Sequence, residues 1–493
     1  MPDDVIRSPV PERSADRVPD LRAQRPNTED ARADLGPDAL YRPPAPFPAS
    51  PLGALFRAIS SMERDLITLL PGAAYREPIF WPGYSRRGIY VVNEPALVAE
   101  VLGDARAFYP KNELMVGALA PLVGDGIFIS EGAVWERQRR MIDPAFAHMR
   151  INQAFQHMAA AMADAEARFD RAADAGDVLH LEAELSHLTA DIMFRTIFSK
   201  TFTGELSLRV FEAFARFQKA CANVSLRHLL LTPSGAEIRQ PRAAQTAAAE
   251  IRSLVDQMLE TRLALEPKDQ PDDIARDIIA ARDPETGAGF TRDEMLDQLA
   301  VFFLAGHETT ASSLTWSLFI LAEVPEIAAR VRAEVAETCG DGPLTAATVK
   351  RLAFTRNVFR ETLRLYPAVT FLAREAREAR RLGPVNLPKG AMLLVSPWVI
   401  QRHEALWPNA DRFDPDRFAP GREDALPQGA YLPFGQGARL CVGVAFAMME
   451  AGLIIAAMLR RYRIEALDAH RVRPVARLTT RPAREIAIRL HRR

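Results

Sequence analysis

The segment from Phe434 to Gly443 reads Phe-Gly-Gln-Gly-Ala-Arg-Leu-Cys-Val-Gly, and its composition suits a soft metal ion. Its cysteine, Cys441, comes just before an apolar run at 444–459 that predicts a helix. A thiolate at that position is stabilised by the helix dipole and by free backbone N–H groups. Glycines such as Gly435 and Gly443 let the backbone approach a flat ligand closely. The segment therefore predicts a thiolate ligand for iron.

Two other interpretations of Cys441 have to be weighed. A lone cysteine is most often a small buried apolar residue. A zinc site would need a second cysteine or histidine at ligand spacing, and the sequence has none there. The glycines, and Phe434 seven residues earlier, favour the iron site. Arg439 could pair with a carboxylate of the same cofactor.

An acid and an alcohol, Glu308 and Thr309, interrupt an apolar helical run within Ala305–Thr310. Burying such groups costs free energy unless they are hydrogen-bonded. One reason to keep them is the delivery of protons to iron-bound dioxygen, and the small Ala305 leaves space for a ligand. The alternative is a threonine bonded to the preceding turn and a glutamate on a solvated face.

Two further pairs share a helical face. Glu361 and Arg364 are three residues apart, a spacing that more often gives a surface ion pair of about 0.3 kcal/mol. Trp135 and Arg139 are four residues apart and present an indole N–H and a guanidinium. Those two donors suit a carboxylate.

Helices must position most of these residues. A long helix is predicted over 291–324, because Thr291 and Glu294 form a capping box and Pro325 follows. Apolar spacing predicts further helices, and β-branched runs predict short strands. The predicted helices are 151–173, 178–199, 206–224 and 242–265, and the predicted strands are 88–92, 392–396 and 485–489.

Composition indicates a soluble globular protein with a large core, since 48% of the 493 residues are hydrophobic and 25% are charged. The net charge of −1 gives no general attraction to nucleic acid. Residues 1–45 are rich in Pro, Arg and Asp, a composition that predicts a disordered tail. Residues 46–493 are expected to form one catalytic domain.

Cysteine content and hydropathy predict the compartment. The three cysteines, Cys221, Cys339 and Cys441, make a poor disulfide framework and fit a reducing cytoplasm. Apolar stretches such as 299–304 are far shorter than a membrane span, so no transmembrane anchor is expected.

Five segments together resemble the cytochrome P450 family. Phe434–Gly443 resembles its haem-binding signature, and Ala305–Thr310 resembles its A-G-x-E-T segment. Glu361–Arg364 resembles its E-x-x-R, and Trp135–Arg139 its W-x-x-x-R. Pro415–Phe418 resembles P-E-R-F with an aspartate in place of the usual glutamate. The segments follow the family's order, and the resemblance covers about residue 52 to the end.

The resemblance implies a mainly α triangular prism with a small β region and haem b (iron protoporphyrin IX) between the long central helix and the cysteine-loop helix. Cys441 would bind the iron, Thr309 and Glu308 would handle protons, and a buried network would fix the fold. That network is Glu361, Arg364 and Arg417; the implied cofactor contacts are Trp135, Arg139, Ala305, Arg374, Phe434, Gly435, Arg439 and Gly443.

It also implies a monomeric monooxygenase that uses dioxygen. Because the chain ends soon after the haem domain, electrons are expected from NAD(P)H through a reductase and a ferredoxin or flavodoxin-type partner. Arg137 and Arg140 belong either to a basic docking patch or to a solvated face. The substrate is expected to be small and lipophilic. Its predicted pocket is lined by Leu114, Phe302, Val369, Phe371 and Leu478.

Two alternatives to this function are a peroxygenase driven by peroxide and a haem sensor or carrier without turnover. Either would be expected to depart from the acid–alcohol pair. Glu308 and Thr309 are both present, which favours the monooxygenase.

Overall fold

The computed structural model describes residues 40–46, 48, 50, 53, 65–81, 83, 88–103, 106–146, 148–202, 205–221 and 240–493. Most of the predicted tail at 1–45 lies outside these residues, and its disorder stays a prediction. Residues 41–493 form one compact unit. The carbonyl of Tyr41 accepts a hydrogen bond from Phe413 N (2.8 Å), and that of Pro44 from the Tyr366 hydroxyl (2.5 Å). Residues 41–44 are thus bonded to the rest of this unit.

Helices make up most of the described chain, as predicted. None of those described is both long and apolar enough to cross a membrane. In chain order they are α1 (Pro95–Leu102), α2 (Glu113–Val123), α3 (Gly132–Ile142), α4 (His148–Ala175), α5 (Leu181–Phe198), α6 (Glu205–Cys221), α7 (Arg242–Leu263), α8 (Ile274–Ala280), α9 (Arg292–Glu323), α10 (Pro325–Cys339), α11 (Ala346–Arg351), α12 (Ala353–Leu365), α13 (Pro397–Ile400) and α14 (Val444–Arg461).

The strands are short and dispersed along the chain. They are β1 (Ile79–Phe80), β2 (Ile89–Val92), β3 (Val178–His180), β4 (Leu372–Glu375), β5 (Arg380–Leu382), β6 (Val385–Leu387), β7 (Met392–Val395), β8 (Tyr462–Ala466), β9 (Pro474–Ala476), β10 (Thr480–Pro482) and β11 (Ala487–Arg492). The sheets have the orders β1-β2-β7-β4, β3-β11-β8, β9-β10 and β5-β6, and only the β2–β7 pairing is parallel among those described. The prediction of a mainly α protein with a small β region is confirmed.

The central helix α9 is defined by its ends and by its burial. Thr291 Oγ1 accepts from Glu294 N (3.2 Å), and Glu294 Oε2 accepts from Thr291 N (2.8 Å), so the predicted capping box is present. The helix stops at Glu323, two residues before Pro325. Its middle has no solvated face, since side chains on all sides, from Leu299 to Ile320, are buried. The predicted helix at 291–324 is confirmed.

One predicted helix begins too early. Residues 178–199 were expected to be helical throughout, but Val178–His180 form β3 and α5 starts at Leu181. The reason is long-range, because β3 pairs antiparallel with β11, with Leu179 opposite Ile488. Pairing with β8 likewise carries β11 to Arg492, beyond the strand predicted at 485–489.

A buried ion network joins α12 to the segment before the cysteine loop. Arg364 donates to both carboxylate oxygens of Glu361, from Nε at 2.7 Å and from Nη2 at 2.8 Å. Arg417 Nε lies 3.3 Å from Glu361 Oε1, and Asp414 N donates to the same oxygen at 2.9 Å. Side-chain exposure is 0% for Glu361 and Arg364 and 6% for Arg417. The structure therefore brings the three predicted network residues together.

The remaining donors of Arg364 fix the chain that follows β7. They bond to the carbonyls of Gln401 (2.8 Å), Ala410 (2.7 Å) and Arg412 (2.7 Å). The side chain of Gln401 then accepts from Leu432 N at 2.7 Å, two residues before the cysteine loop begins. The network thus extends from α12 to that loop.

Removal of the central charge should destabilise the fold strongly. We expect Glu361→Gln to lower the free energy of unfolding by about 3–5 kcal/mol, because it leaves two buried guanidinium groups without their carboxylate. Asp416→Asn is the matched control, since it breaks the exposed Arg330–Asp416 pair and should cost only about 0–1 kcal/mol. Denaturant unfolding measures both. Equal losses of unfolding free energy in the two variants would contradict the assignment of Glu361 as the centre of a buried ion network.

Candidate active site

The cysteine loop folds back on itself ahead of α14. The N–H of Cys441 donates to the carbonyl of Phe434 (3.0 Å), and Gly435 and Gly437 have φ of 78° and 71°. A Cβ on Gly437 would lie 2.7 Å from the carbonyl oxygen of Leu102, so only glycine fits there. The loop therefore presents its sulfur next to the first turn of α14.

The sulfur of Cys441 is accessible, although enough protein surrounds it for desolvation to matter. Burial raises the pKa of the thiol, and the N–H of Gly443 and the charge of Arg139 oppose the rise without cancelling it. The lowering expected from the helix N-terminus is thus outweighed in the protein alone. A thiol that binds a metal ion is nevertheless deprotonated by the metal itself.

The predicted pair on α3 contacts the cysteine loop. Arg139 Nη1 donates to the carbonyl of Leu440 (2.8 Å), and its Nε pairs with Asp143 at 2.6 Å. Trp135 is buried, and the guanidinium of Arg439 lies 4.2 Å from the centre of its ring. Arg139 therefore supports the cysteine loop next to Cys441. Trp135 packs against Arg439, the arginine of that loop.

Three cations gather beside the loop: Arg374, Arg439 and Lys111. Arg439 Nη2 pairs with Glu131 (2.5 Å), and Lys111 donates to the carbonyl of Phe128. Burial, with the charge of Arg439, lowers the pKa of Arg374 to about 10. The same two causes lower the pKa of Lys111 well below its usual value. The positive charge of these three side chains exceeds the single negative charge of Glu131.

This charge excess fits a cofactor with two carboxylates. A cavity of about 170 Å³ lies beside the cations, with Trp135, Arg374 and Arg439 in its lining. A propionate there would give an anion to Arg374, the buried guanidinium group of the three cations, because Glu131 pairs with Arg439 instead. With the accessible sulfur of Cys441 and the glycines of its loop, the residues fit haem.

Thr309 makes a local bond in this structure. Its hydroxyl donates to the carbonyl of Ala305 at 2.6 Å, which is the back-bonding that the alternative interpretation described. A Cβ on Gly306 would lie 2.5 Å from the sulfur of Met193, so α5 packs tightly on this turn. The hydroxyl therefore sits in a closely packed part of α9.

Glu308 is buried, not solvated. It accepts hydrogen bonds from the Thr479 hydroxyl (2.8 Å), Arg481 Nε (2.6 Å) and Gln218 Nε2. Burial would raise the pKa of its carboxyl, but the Arg481 guanidinium, the neighbouring His307 and these hydrogen bonds lower it overall. Glu308 is therefore ionised at neutral pH.

Sequence reasoning missed the groups that hold Glu308. Arg481 also lies 3.4 Å from Glu182, and it donates to Gln218 Oε1 at 3.1 Å. Lys111 and Glu131 beside the cysteine loop were missed as well. These residues lie far from the motifs in sequence, and no local pattern marks them. A lysine on an extended segment or an arginine in a short strand is usually a surface charge.

The predicted substrate residues occupy different environments. Leu114 is buried on α2, and Phe302 is buried on α9 with its ring edge-on to Phe146, 5.0 Å between centres. The other three, Val369, Phe371 and Leu478, are half-buried. All five are apolar, and their role as a pocket stays a prediction.

Arg137 and Arg140 both have carboxylate partners within the chain. Arg137 pairs with Glu294. Arg140 pairs with Asp283 (3.1 Å) and Glu285 (2.9 Å). Intramolecular pairing reduces the charge that these two arginines offer to a docking partner.

Comparison with known proteins decides the family. The profile of the family described as Cytochrome P450 matches residues 43–487. This chain belongs to the cytochrome P450 family. The profile match confirms the family resemblance seen in the sequence. Members of this family bind haem.

Individual P450 relatives are similar in sequence to this protein over most of its length. Cyclooctatin synthase from Streptomyces melanosporofaciens is 35% identical over 408 residues, which is 81% of this chain and 86% of that protein. Pentalenene oxygenase from Streptomyces avermitilis is 31% identical over 406 residues, 81% of this chain and 87% of that protein. The chain is a cytochrome P450 monooxygenase.

A solved structure shows the same fold. The cytochrome P450DA heme domain matches with a TM-score of 0.75 and 26% identity, over 84% of this chain and 90% of that one. The predicted P450 fold is therefore confirmed.

The cation cluster generates a prediction about haem retention. Arg374→Gln should release haem about tenfold to a hundredfold faster, because a charge-assisted hydrogen bond contributes about 1.5–3 kcal/mol. Transfer of haem to an excess of a haem-scavenging globin measures the rate. Arg330→Gln, which removes an exposed paired arginine, is the control. Equal rates of haem release in both variants would exclude Arg374 as a residue that binds the haem propionates.

Proposed function

We propose that this P450 monooxygenase inserts one oxygen atom into a terpenoid, a small lipophilic substrate. The observation that carries the proposal is the similarity along four fifths of the chain to cyclooctatin synthase and pentalenene oxygenase, which act on terpenoids. The apolar character of Leu114, Phe302, Val369, Phe371 and Leu478 supports it. None of these five could bind a substrate carboxylate.

The reaction sets what the residues must do. Substrate, dioxygen, two electrons and two protons give hydroxylated product and water. Haem b, when bound, supplies the binding and reduction of dioxygen. Cys441 would ligate its iron, and Arg374, Arg439 and Lys111 would hold its propionates.

Proton handling falls to the acid–alcohol pair on α9. Thr309 Oγ1 carries a proton that it now donates to Ala305 O, and rotation about its Cα–Cβ bond redirects that proton away from the backbone. Glu308 is ionised, so it must take up a proton before it can pass one on. Its contacts with Arg481 and Gln218 hold the carboxylate in place.

A separate redox partner supplies the electrons in this proposal, through a ferredoxin or flavodoxin-type protein whose reductase uses NAD(P)H. Leu440 and Val134 are exposed close to the cysteine loop, at 43% and 42%. Arg106 is also exposed, lies near Trp135 and pairs only at the long distance of 3.5 Å with the exposed Glu136. An apolar centre with a cationic edge suits a small acidic partner. A monomer in the cytoplasm stays our prediction.

The substrate class can be tested with a matched panel. Cyclic terpene hydrocarbons and linear fatty acids of equal carbon number are incubated with the protein, a ferredoxin, its reductase and NADPH. We expect oxygenated products from the terpenes, since the pocket residues offer apolar contact and no cation for a carboxylate. Products from the fatty acids alone would contradict the proposal.

The electron source can be tested with the best substrate of that panel. Turnover is expected with reductase and NADPH, and little is expected with hydrogen peroxide alone, because Glu308 and Thr309 are retained. Addition of catalase, which removes peroxide, should leave the first reaction unchanged. Product formed only from peroxide would favour the peroxygenase.

The role of Thr309 can be tested through coupling. Thr309→Ala should lower product formed per NADPH by about tenfold and release peroxide, because a positioned proton donor is lost. Thr315→Ala is the matched control, since Thr315 makes the same bond to the carbonyl four residues earlier (2.8 Å). Equal coupling in both variants would remove Thr309 from the mechanism.

A further inference from the structure

Helix α5 contacts α9 at the turn that comes just before the acid–alcohol pair. A Cβ on Gly306 would lie 2.5 Å from the sulfur of Met193, so a glycine at this position allows the two helices to approach closely. Thr189 lies one turn before Met193 on the same face of α5, and both side chains are buried. No step of the proposed reaction uses either of these α5 residues.

The hydroxyl of Thr189 donates across the interface between the two helices. Its oxygen lies 3.0 Å from the carbonyl oxygen of His307 on α9 and 3.3 Å from that of Ser186 on α5. A buried threonine in a helix often bonds to the carbonyl four residues before it, as Thr196 of α5 does to Ile192 (2.7 Å). Thr189 departs from this pattern. Because a hydroxyl has one proton to donate, the shorter contact, to α9, is the better hydrogen bond.

The carbonyl that Thr189 contacts belongs to the peptide bond between His307 and Glu308. That peptide bond is planar, so its position sets where the backbone of Glu308 lies, and Thr309 follows directly. The carboxylate of Glu308 is held separately, by donors on α6 and on the chain at 479–481. The acid is therefore fixed at its backbone from α5 and at its carboxylate from two other parts of the fold.

Other carbonyls of this turn accept second donors from α9 itself. The carbonyl of Phe303 accepts from the His307 ring (2.8 Å), that of Ala305 from the Thr309 hydroxyl (2.6 Å) and that of Thr309 from the Ser313 hydroxyl (2.8 Å). Such donors compete with the backbone ladder and bend a helix. Within the part of the chain that the structure describes, Thr189 is the side-chain donor that reaches this turn from outside α9.

An anchor outside α9 is needed because Thr309 cannot hold the turn and deliver a proton at the same time. The Thr309 hydroxyl must leave the carbonyl of Ala305 before it can donate elsewhere, and the local bond is then lost. Thr189 bonds to a different carbonyl, so its contact is kept through that step. The peptide bond before Glu308 therefore stays in place while the Thr309 hydroxyl turns.

We infer that Thr189 is a positioning residue for the monooxygenase reaction, whose hydroxyl holds the peptide bond before Glu308 while the Thr309 hydroxyl turns. Thr189 acts through the backbone of α9. Met193 assists by closing the interface against Gly306. The inference rests on the proton-handling role proposed for Thr309 and not on the proposed substrate class.

The infrared stretch of carbon monoxide bound to the reduced haem protein tests the inference without substrate, because it responds to polar groups beside the ligand. We expect Thr189→Val, which removes the hydroxyl at nearly constant volume, to shift or broaden this band. Thr189→Ser, which keeps the hydroxyl, should restore it. Thr196→Val is the matched control and should leave the band unchanged, since it removes a hydroxyl whose bond stays within α5.

Coupling tests the function with any accepted substrate. Loss of the Thr189 hydrogen bond should lower product per NADPH by about twofold to tenfold in Thr189→Val and raise the release of peroxide. Thr189→Ser should restore the ratio, and Thr196→Val should not change it. The two valine variants each lose one buried hydrogen bond, so a loss of stability alone would affect both alike. Thr189→Ala replaces Thr189→Val if the latter does not fold.

Either of two results would overturn the inference. One is a carbon monoxide stretch in Thr189→Val that equals that of Thr196→Val, and the other is equal coupling in these two variants. Normal coupling in Thr309→Ala would remove the proposed role of Thr309 and this inference with it. Reduced coupling in Thr309→Ala beside normal coupling in Thr189→Val would overturn the inference alone. Failure of terpene turnover affects the substrate class and neither of these measurements.

Discussion

The buried ion pair between Glu361 and Arg364 is the interaction on which the geometry of the active site depends. Two opposite charges at 0% exposure are tolerated only because each is fully bonded. The spare donors of Arg364 take up backbone carbonyls, among them that of Gln401, and the side chain of Gln401 holds Leu432 N. The chain from Leu432 then runs directly into the loop of Cys441. The position of the sulfur is therefore fixed from α12, through contacts that take no part in the chemistry.

Positive and negative side chains are distributed unevenly around this ion pair. The uneven distribution is consistent with the binding of a cofactor that carries carboxylates. Beside the cysteine loop, Arg374 is a buried cation and Lys111 a half-buried one, and the pKa values of both are depressed, which suits the carboxylates of a cofactor. On α9 the imbalance is resolved, because Arg481 neutralises Glu308. On α14 it is avoided, because burial raises the pKa of the carboxyl of Glu450, a residue with 0% exposure, to about 8. The same low-polarity interior thus gives one acid a charge and the other a proton.

Features that depend on neighbours in sequence could be predicted, and features that depend on distant partners could not. The capping box of Thr291 fixed the start of α9, and glycine spacing located the loop of Cys441. In contrast, β3 forms only because β11, some 300 residues later, pairs with it. Lys111 and Arg481 were missed for the same reason, since their roles come from residues that only the fold brings near. Motifs predicted which residues take part in the chemistry, but not which distant groups set the charge of those residues.

Thiolate ligation by Cys441 is the central claim, and the reduced, carbon-monoxide-bound absorption spectrum tests it most directly. The purified protein is compared with Cys441→Ala and, as a control, with Cys339→Ala, which removes a free cysteine outside the loop. A strongly red-shifted Soret band in the first and third samples, absent from Cys441→Ala, is the predicted result. An ordinary haem–carbon monoxide band in the unmodified protein, or a red-shifted band that persists in Cys441→Ala, would contradict the account.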